Sequence, residues 1–230
     1  MVPCAGDAGG RARVPTPCAA WCGDPRTVTP LDAEIPVRVL RSVILASGSP
    51  RRRRLLRSLG VRCQVITPCI QESRTHGGAP AALVRRNALA KARAVAATQR
   101  DGIVIGADTI VWCRGRVIGK PATWRRAQAQ LRQLSGQTHW VHTGVALVHA
   151  KTGQTLVAAT RARVLFRTLS PACQTRYLRC SHPLDKAGAY AIQRDGAVIV
   201  DRIDGCLSTV VGLPVPALER LLRRWSWRLP

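Results

Sequence analysis

The stretch VILASGSPRRRRLLRSLG, residues 43–60, constrains the fold most, because its pattern changes from strand to helix within three residues. Residues 43–46 form a short apolar run, as expected of a buried strand. The following Ser-Gly-Ser favours a turn in which Ser49 is a helix N-cap. Pro50 suits the first helical position, because its missing N–H would be unpaired there. The stretch therefore predicts a strand, a tight turn and a basic helix closed by Gly60.

Strand-like and helix-like patterns alternate through the rest of the chain. We expect strands at residues 61–67, 103–112, 116–118, 139–149, 156–166 and 197–203. We expect helices at residues 80–98, 124–134 and 216–224, and a short helix that begins at Ser170-Pro171. This interleaving predicts one α/β domain over residues 42–230. Residues 1–41 lack sustained periodicity and are predicted to be a poorly ordered extension.

The formal net charge of +24 is the outlier of the composition. From residue 42 onward the chain has 31 basic and 8 acidic residues, so the charge belongs to the folded part. Such a surface favours polyanions, including nucleotides and nucleic acid. A surplus of arginine can equally follow from genome base composition, and both explanations stay open. We expect no membrane span, because no apolar run approaches about 18 residues.

The nine cysteines are scattered, and none forms a C-x-x-C pair. Reduced thiols in the cytoplasm fit this pattern best. His139 and His142 fall in a predicted strand, where a spacing of three places side chains on opposite faces. The two histidines are therefore not expected to form a metal site.

The segment SGSPRR is the first candidate site. A helix N-terminus presents unpaired N–H groups and a partial positive charge to an anion. The hydroxyls of Ser47 and Ser49, with the guanidinium of Arg51 or Arg52, could complete a phosphate cradle. The alternative is an ordinary capped helix whose arginines face solvent.

The segment IVIGADTIV is the second candidate, because it carries Asp108 inside an apolar run. A buried carboxylate has to meet a cation, a metal or hydrogen-bond donors. The same surroundings make a carboxylate useful as a base or a metal ligand. The alternative is an aspartate in a β-bulge that accepts bonds from local amides.

Lysine is rare in this chain, and three lysines lie in unusual contexts. Lys91 lies on an alanine-rich helix, Lys120 in IGKP and Lys186 in PLDKAGAY. A compact ammonium suits a phosphate oxygen where a broad guanidinium would not fit. Glu72 follows a predicted strand in a chain with few acids, although exposure in a loop is the default for glutamate.

Six ordered segments together resemble the Maf, or septum-formation-protein, family of nucleoside triphosphate pyrophosphatases. They are LASGSPRRRRLL, IVIGADTIV, VIGKPATWRRAQAQLRQLSGQTH, VHTGVALV, PLDKAGAYAIQ and VVGLPVPALERLL. The resemblance implies an inosine-triphosphatase-like fold, in which a long mixed sheet flanked by helices forms two lobes around a cleft. It also implies hydrolysis of a nucleoside triphosphate to a monophosphate and pyrophosphate with Mg²⁺ or Mn²⁺, and a homodimer is a further expectation.

The resemblance also implies roles for individual residues. Asp108 would be the proton acceptor, and Glu72 would help it to hold metal. The triphosphate would be bound by Ser47, Ser49, Arg52, Lys91 and Lys120. Substrate specificity would depend on Arg51, Thr109 and Gln193. Asn87 is a departure, because the family commonly has an apolar helix residue there.

The motifs GADT and PLDKAGAYAIQ resemble the branch of the family that acts on dTTP and UTP. The carboxamide of Gln193 can both donate and accept, which suits the edge of uracil or thymine. The alternative within the family is a pyrophosphatase for 7-methyl-GTP or another modified nucleotide. Outside the family, the alternatives are a basic nucleic-acid-binding protein and a non-enzymatic inhibitor of cell division.

Overall fold

The computed structural model describes residues 38–73, 79–193 and 196–230. Most of the predicted extension, residues 1–41, lies outside the described residues. Its last part belongs to the fold, because strand β1 (Arg38–Val39) pairs in parallel with β9 (Trp227–Arg228). Leu40 is buried beside this pair. No helix among these three ranges is long and apolar enough to cross a membrane.

A seven-stranded mixed sheet forms the centre of the described chain, in the order β3-β2-β4-β6-β7-β8, with β5 paired to β4. Its strands are β2 (Ser42–Ala46), β3 (Arg62–Val65), β4 (Ile103–Cys113), β5 (Arg116–Ile118), β6 (Thr138–His149), β7 (Thr155–Phe166) and β8 (Val200–Asp204). β2 is parallel to β3 and β4, whereas β4, β6, β7 and β8 are antiparallel along the sheet. The predicted α/β class and mixed sheet are confirmed.

Helices cover the sheet and supply the crossovers between its parallel strands. They are α1 (Pro50–Ser58), α2 (Pro80–Ala96), α3 (Trp124–Leu134), α4 (Pro171–Ser181), α5 (Gly196–Ile199), α6 (Leu207–Val211) and α7 (Val215–Arg223). Two single-turn 3₁₀ segments, Pro183–Asp185 and Ala187–Ala189, follow α4. The predicted helix starts at Pro50 and after Thr123 are confirmed, and the Thr123 side chain accepts a bond from the Arg126 amide.

Two glycines allow α2 to pack directly on the sheet. A Cβ atom at Gly106 of β4 would lie 2.2 Å from the carbonyl oxygen of Ala88. One at Gly144 of β6 would lie 2.3 Å from the carbonyl oxygen of Val84. Backbone atoms cannot move aside as a flexible side chain can. The absence of a side chain at both positions therefore determines how closely α2 can approach β4 and β6.

Two main clusters of buried side chains occupy opposite ends of β4. One includes Val104 of β4 and packs α2 against β2 and β6. The other includes Val111 of β4 and joins α3, α4 and the strands β6 and β7. A cleft of about 1840 Å³ opens beside the middle of β4, and it is lined by Ala46 of the first cluster and Val111 of the second.

The predicted strand at residues 197–203 is wrong in its first half. Residues up to Ile199 form α5, and β8 begins only at Val200. A run of valine and isoleucine fits a buried helical turn as well as a strand, so periodicity alone does not separate them. Ile199 is fully buried, so tertiary packing decides the choice. The second predicted strand ends at Val65, and the chain beyond it lines the cleft.

Candidate active site

The cleft lies where β2 ends and α1 begins, beside the centre of β4. In open α/β sheets, ligands bind outside the carboxyl ends of parallel strands. The ten residues proposed for the site from sequence all line this cleft. They are Ser47, Ser49, Arg51, Arg52, Glu72, Lys91, Asp108, Thr109, Lys120 and Gln193.

Asp108 is the most buried acid of the site, with 5% of its surface exposed. Its Oδ1 accepts a bond of 2.6 Å from the Lys91 ammonium, and its Oδ2 accepts one of 3.1 Å from the Asn87 amide. Both donors lie on α2, four residues apart, so they share one face of the helix. The pairing of β4 with β6 is unbroken at Asp108, so the β-bulge alternative is wrong.

Lys91 connects the two carboxylates of the site. Its buried ammonium lies 2.6 Å from Asp108 Oδ1 and 2.9 Å from Glu72 Oε1. The Glu72 side chain is 48% exposed at the cleft, in the irregular segment that follows β3. One positive charge therefore compensates two negative ones, which explains how Asp108 stays buried next to a second acid.

Arg52 is buried and held by three elements. Its Nε donates to the carbonyl of Gly212 at 2.7 Å, Nη1 to Ser47 Oγ at 2.8 Å and Nη2 to Thr109 Oγ1 at 3.1 Å. Burial lowers the pKa of Arg52 to about 10, and the charge of Asp108 opposes this shift. The guanidinium is thus positively charged at neutral pH and has two further N–H groups.

The turn before α1 is arranged around Ser47. The Ser49 amide donates to Ser47 Oγ at 3.3 Å, and the Ser49 hydroxyl makes no capping bond to α1. Position alone therefore makes Ser49 the N-cap, and its hydroxyl lies at the cleft. Arg51 also lines the cleft, with Nη1 3.5 Å from Asp185 Oδ2, and burial lowers the pKa of Arg51.

A chain of hydrogen-bonded threonines, Thr109, Thr143, Thr209 and Thr160, fixes the hydroxyl that Arg52 contacts. We call it the threonine ladder. Thr109 and Thr143 face each other on β4 and β6 with their hydroxyl oxygens 3.0 Å apart. Thr143 donates to the carbonyl of Thr209 at 2.7 Å, and the Thr209 hydroxyl lies 2.9 Å from that of Thr160 on β7. The ladder ties α6 to three strands and fixes the hydroxyl that Arg52 contacts.

Lys120 and Gln193 are exposed and line the cleft. Lys120 lies in the loop after β5, and Gln193 lies in the turn after the second 3₁₀ segment. Lys186, the third unusual lysine, is not part of the cleft wall. It is buried and donates to the His182 carbonyl and the Asp185 carboxylate. Lys186 therefore organises the segment that carries Asp185 and does not face the cleft.

No group of three or more His, Cys, Asp or Glu side chains within residues 38–73, 79–193 and 196–230 could hold a metal ion. His139 and His142, which were not expected to form a metal site, both lie on β6, and the Nε2 of His139 lies 2.8 Å from the Tyr190 hydroxyl. Glu72 and Asp108 are the acids that the cleft offers to a cation beside Lys91.

Asn87 is a residue of the site that was not predicted from the sequence, where it stood out only as a departure from the family pattern. The signal that could have identified it is its i, i+4 spacing from Lys91 on one face of a helix. An asparagine on a predicted buried face also needs partners, because an unbonded buried amide is costly.

The comparison with protein families gives the same answer as the motifs. A family model described as "Maf-like protein" matches residues 42–225. The chain belongs to the Maf family. This membership confirms the resemblance on which the residue roles were predicted. The match covers every described element of the cleft, from β2 to α6.

Several relatives named dTTP/UTP pyrophosphatase are similar to this chain over most of its length. It is 41% identical over 190 residues to a dTTP/UTP pyrophosphatase of Pelotomaculum thermopropionicum, covering 83% of this chain and all of the relative. It is 49% identical over 183 residues to a dTTP/UTP pyrophosphatase of Moorella thermoacetica, covering 80% and 94% of the two chains. Among solved structures, the Staphylococcus aureus Ham1 protein is 13% identical with a TM-score of 0.44, covering 80% of this chain and 99% of that one.

Proposed function

We propose that this Maf protein is a nucleoside triphosphate pyrophosphatase that hydrolyses dTTP and UTP to the monophosphate and pyrophosphate. The observation that carries the proposal is Asp108, a buried carboxylate at the cleft with a donor on each oxygen. The proposal is supported by relatives that are dTTP/UTP pyrophosphatases and that are 40–49% identical to this chain.

Asp108 is the proton acceptor in this proposal. Water attacks the α-phosphorus, and its proton passes to the carboxylate of Asp108. The bond between the α-phosphorus and the oxygen that bridges the α- and β-phosphates breaks, and pyrophosphate leaves with the bonding electrons. The bonds from Lys91 and Asn87 hold the carboxylate in a single orientation, so that it is already aligned to accept the proton from the attacking water.

Arg52, Ser47, Ser49 and Lys120 form the phosphate-binding part of the proposal. Arg52 has two N–H groups beyond the three that the protein uses, and its orientation is already set. A charge held in place in this way stabilises developing negative charge without reorganising during the reaction. Lys91 adds a second buried positive charge next to Asp108.

The donor set of the cleft fits a divalent cation. Mg²⁺ is commonly bound by one or two carboxylates together with substrate phosphates, and Glu72 and Asp108 supply two carboxylates joined by one ammonium. These two residues would hold the ion, which would supply neutralisation of the triphosphate charge. Carboxylate oxygens equally suit Mn²⁺.

Specificity is assigned to Arg51, Thr109 and Gln193. The exposed carboxamide of Gln193 can pair with both a donor and an acceptor on a pyrimidine edge. The Thr109 hydroxyl is held in place by bonds with Arg52 and Thr143. We further infer a cytoplasmic location, supported by the six described cysteines, all of which are free thiols.

The experiment is a nucleotide panel with purified protein. Pyrophosphate release is measured from dTTP, UTP, the other nucleotides and 7-methyl-GTP, with Mg²⁺ or Mn²⁺. We expect turnover of dTTP and UTP that Asp108→Asn abolishes. Asp101→Asn, the same change at an exposed aspartate just before β4, is the matched control and keeps full activity.

Release of orthophosphate alone, or no turnover of any nucleotide, would overturn the proposed activity. A preference for 7-methyl-GTP would overturn only the assignment to the dTTP/UTP branch. Full activity of Asp108→Asn would remove Asp108 from the role of proton acceptor.

A further inference from the structure

The Asn87 amide binds the Asp108 carboxylate and also the backbone of Ser73, the residue that follows Glu72. We propose that Asn87 is a positioning residue that holds the Asp108 carboxylate and the segment carrying Glu72 in one fixed arrangement. This inference rests on the proposed function, because it concerns the same two carboxylates.

Every polar group of the Asn87 side chain is used. Oδ1 accepts a bond from the Ser73 amide at 3.1 Å. Nδ2 donates to the Ser73 carbonyl at 3.1 Å and to Asp108 Oδ2 at 3.1 Å. The side chain is only 4% exposed, so water cannot easily replace these bonds.

The chemistry of the partners determines which way the amide faces. The Ser73 backbone N–H can only donate, so it requires the carbonyl oxygen of Asn87. The Asp108 carboxylate and the Ser73 carbonyl can only accept, so they require the two N–H groups. A flipped amide would place like groups together at all three contacts. The environment therefore selects an amide in one orientation.

The segment that Asn87 binds is irregular, and two other side chains of α2 also contact it: Arg86 donates to Ser73 Oγ at 2.6 Å, and the Lys91 ammonium lies 2.9 Å from Glu72 Oε1. The segment leaves the sheet after Val65 and has no helix or strand up to Ser73. Glu72 lies within it, one residue before the backbone groups that Asn87 binds. A paired bond to both backbone groups of Ser73 thus limits where the Glu72 carboxylate can be.

The helix that carries Asn87 is itself rigidly placed. Gly106 and Gly144 bring α2 into backbone contact with β4 and β6. Lys91 lies one turn further along the same face and contacts both acids. Asn87 and Lys91 thus form a pair on α2, in which Lys91 compensates charge and Asn87 sets geometry.

Loss of the amide is therefore expected to impair the chemical step more than substrate binding, because small displacements of a reacting group lower the rate steeply. We expect Asn87→Leu to lower kcat for dTTP by roughly 10- to 100-fold while KM changes by less than about threefold. Amide hydrogen exchange of Ser73 should become faster, because its acceptor is gone.

A second variant separates the two contacts. Asn87→Asp keeps the shape and the oxygen that the Ser73 amide needs, but it turns a carboxylate oxygen toward Asp108. We expect the Ser73 amide to stay protected and kcat to fall as in Asn87→Leu. Arg85→Ala, an exposed change on the same helix, is the control and leaves kcat and exchange unchanged.

A folded Asn87→Leu protein with unchanged kcat overturns the inference, as does an equal fall in kcat and rise in KM. If Asn87→Leu does not fold, a normal kcat for Asn87→Asp overturns it instead. Hydrogen exchange at Ser73 needs no turnover, so it tests the grip on the Glu72 segment even if the protein does not hydrolyse dTTP. Retained activity of Asp108→Asn, in contrast, would contradict the proposed function itself.

Discussion

Four consecutive arginines at the start of α1 show how strongly local environment divides identical residues. Arg52 is buried and bonded to three elements, and Arg51 lines the cleft opposite Asp185. Arg53 and Arg54 are exposed on the outer face of the helix. The helical period separates the two pairs, because a rotation of 100° per residue turns Arg53 and Arg54 away from the side on which Arg52 is buried.

Arg52 should therefore be far more sensitive to substitution than Arg53. Arg52→Lys removes the fork that reaches Ser47, Thr109 and Gly212 at once, and each charge-assisted bond contributes about 1.5–3 kcal/mol. We expect kcat/KM for dTTP to fall by roughly 100-fold or more. The matched change Arg53→Lys should leave kcat/KM within about twofold. Equal losses in both variants would contradict this assignment.

His139 is a second residue whose behaviour follows from burial. Burial lowers the pKa of His139 to about 4, well below its ordinary value. The unfolded chain takes up a proton near its ordinary pKa, whereas the folded protein does so only near pH 4. The contribution of His139 to folding stability is therefore complete above the pKa of the unfolded chain and is lost as the pH falls toward 4.

Between about pH 7.5 and about pH 5, this one residue should lower the free energy of unfolding by roughly 2 kcal/mol. That loss corresponds to about 4–8 °C in Tm for a chain of this size. Thermal unfolding of His139→Gln should show a correspondingly smaller drop in Tm across this range. Parallel Tm curves for the two proteins would show that His139 does not carry the effect.

Helix α2 is the element on which the site depends most. It presents Asn87 and Lys91 to the cleft and rests on the glycine backbone of β4 and β6. Propensity explains why this alanine-rich segment is a helix. Its distance from the sheet, and hence the reach of both side chains, depends on glycines in two other elements.

Gly106→Ala should therefore displace α2. The new Cβ would lie 2.2 Å from the Ala88 carbonyl oxygen, and backbone must shift to accept it. We expect a loss of about 3 kcal/mol or more, a fall of roughly 6–12 °C in Tm, and lower kcat as Lys91 moves away from Asp108. Gly119→Ala, with no atom within 4 Å of the added Cβ, is the control for stability. An unchanged Tm in Gly106→Ala would contradict this account.

The net charge of +24 acts at the scale of the whole molecule. A positive surface around a cleft attracts a triphosphate at long range, and added salt screens this electrostatic attraction. We expect kcat/KM for dTTP to fall by roughly tenfold between about 0.05 M and about 0.5 M salt, with kcat nearly constant. Constant kcat/KM over this range would show that the charge does not assist substrate capture.

The same charge motivated the nucleic-acid alternative, and a competition experiment distinguishes it. If nucleic acid were the functional ligand, duplex DNA would bind tightly with a steep salt dependence. We expect an excess of DNA at physiological salt to leave dTTP hydrolysis unchanged. Strong inhibition there would favour the alternative.

The sequence by itself determined the strands β2 to β7, the helices α1 to α4 and α7, and the ten cleft residues, because these depend on local periodicity, turn chemistry and motifs. It did not predict β1, β9 or α6, which are too short to show a period, or the helical turn before β8, because an apolar run is compatible with either conformation until its neighbours are known. Only the tertiary structure decided that Lys91 joins Glu72 to Asp108 and that Asn87 aligns both. Such contacts depend on the seating of α2 over Gly106, and no local pattern in the sequence encodes a distance between separate elements.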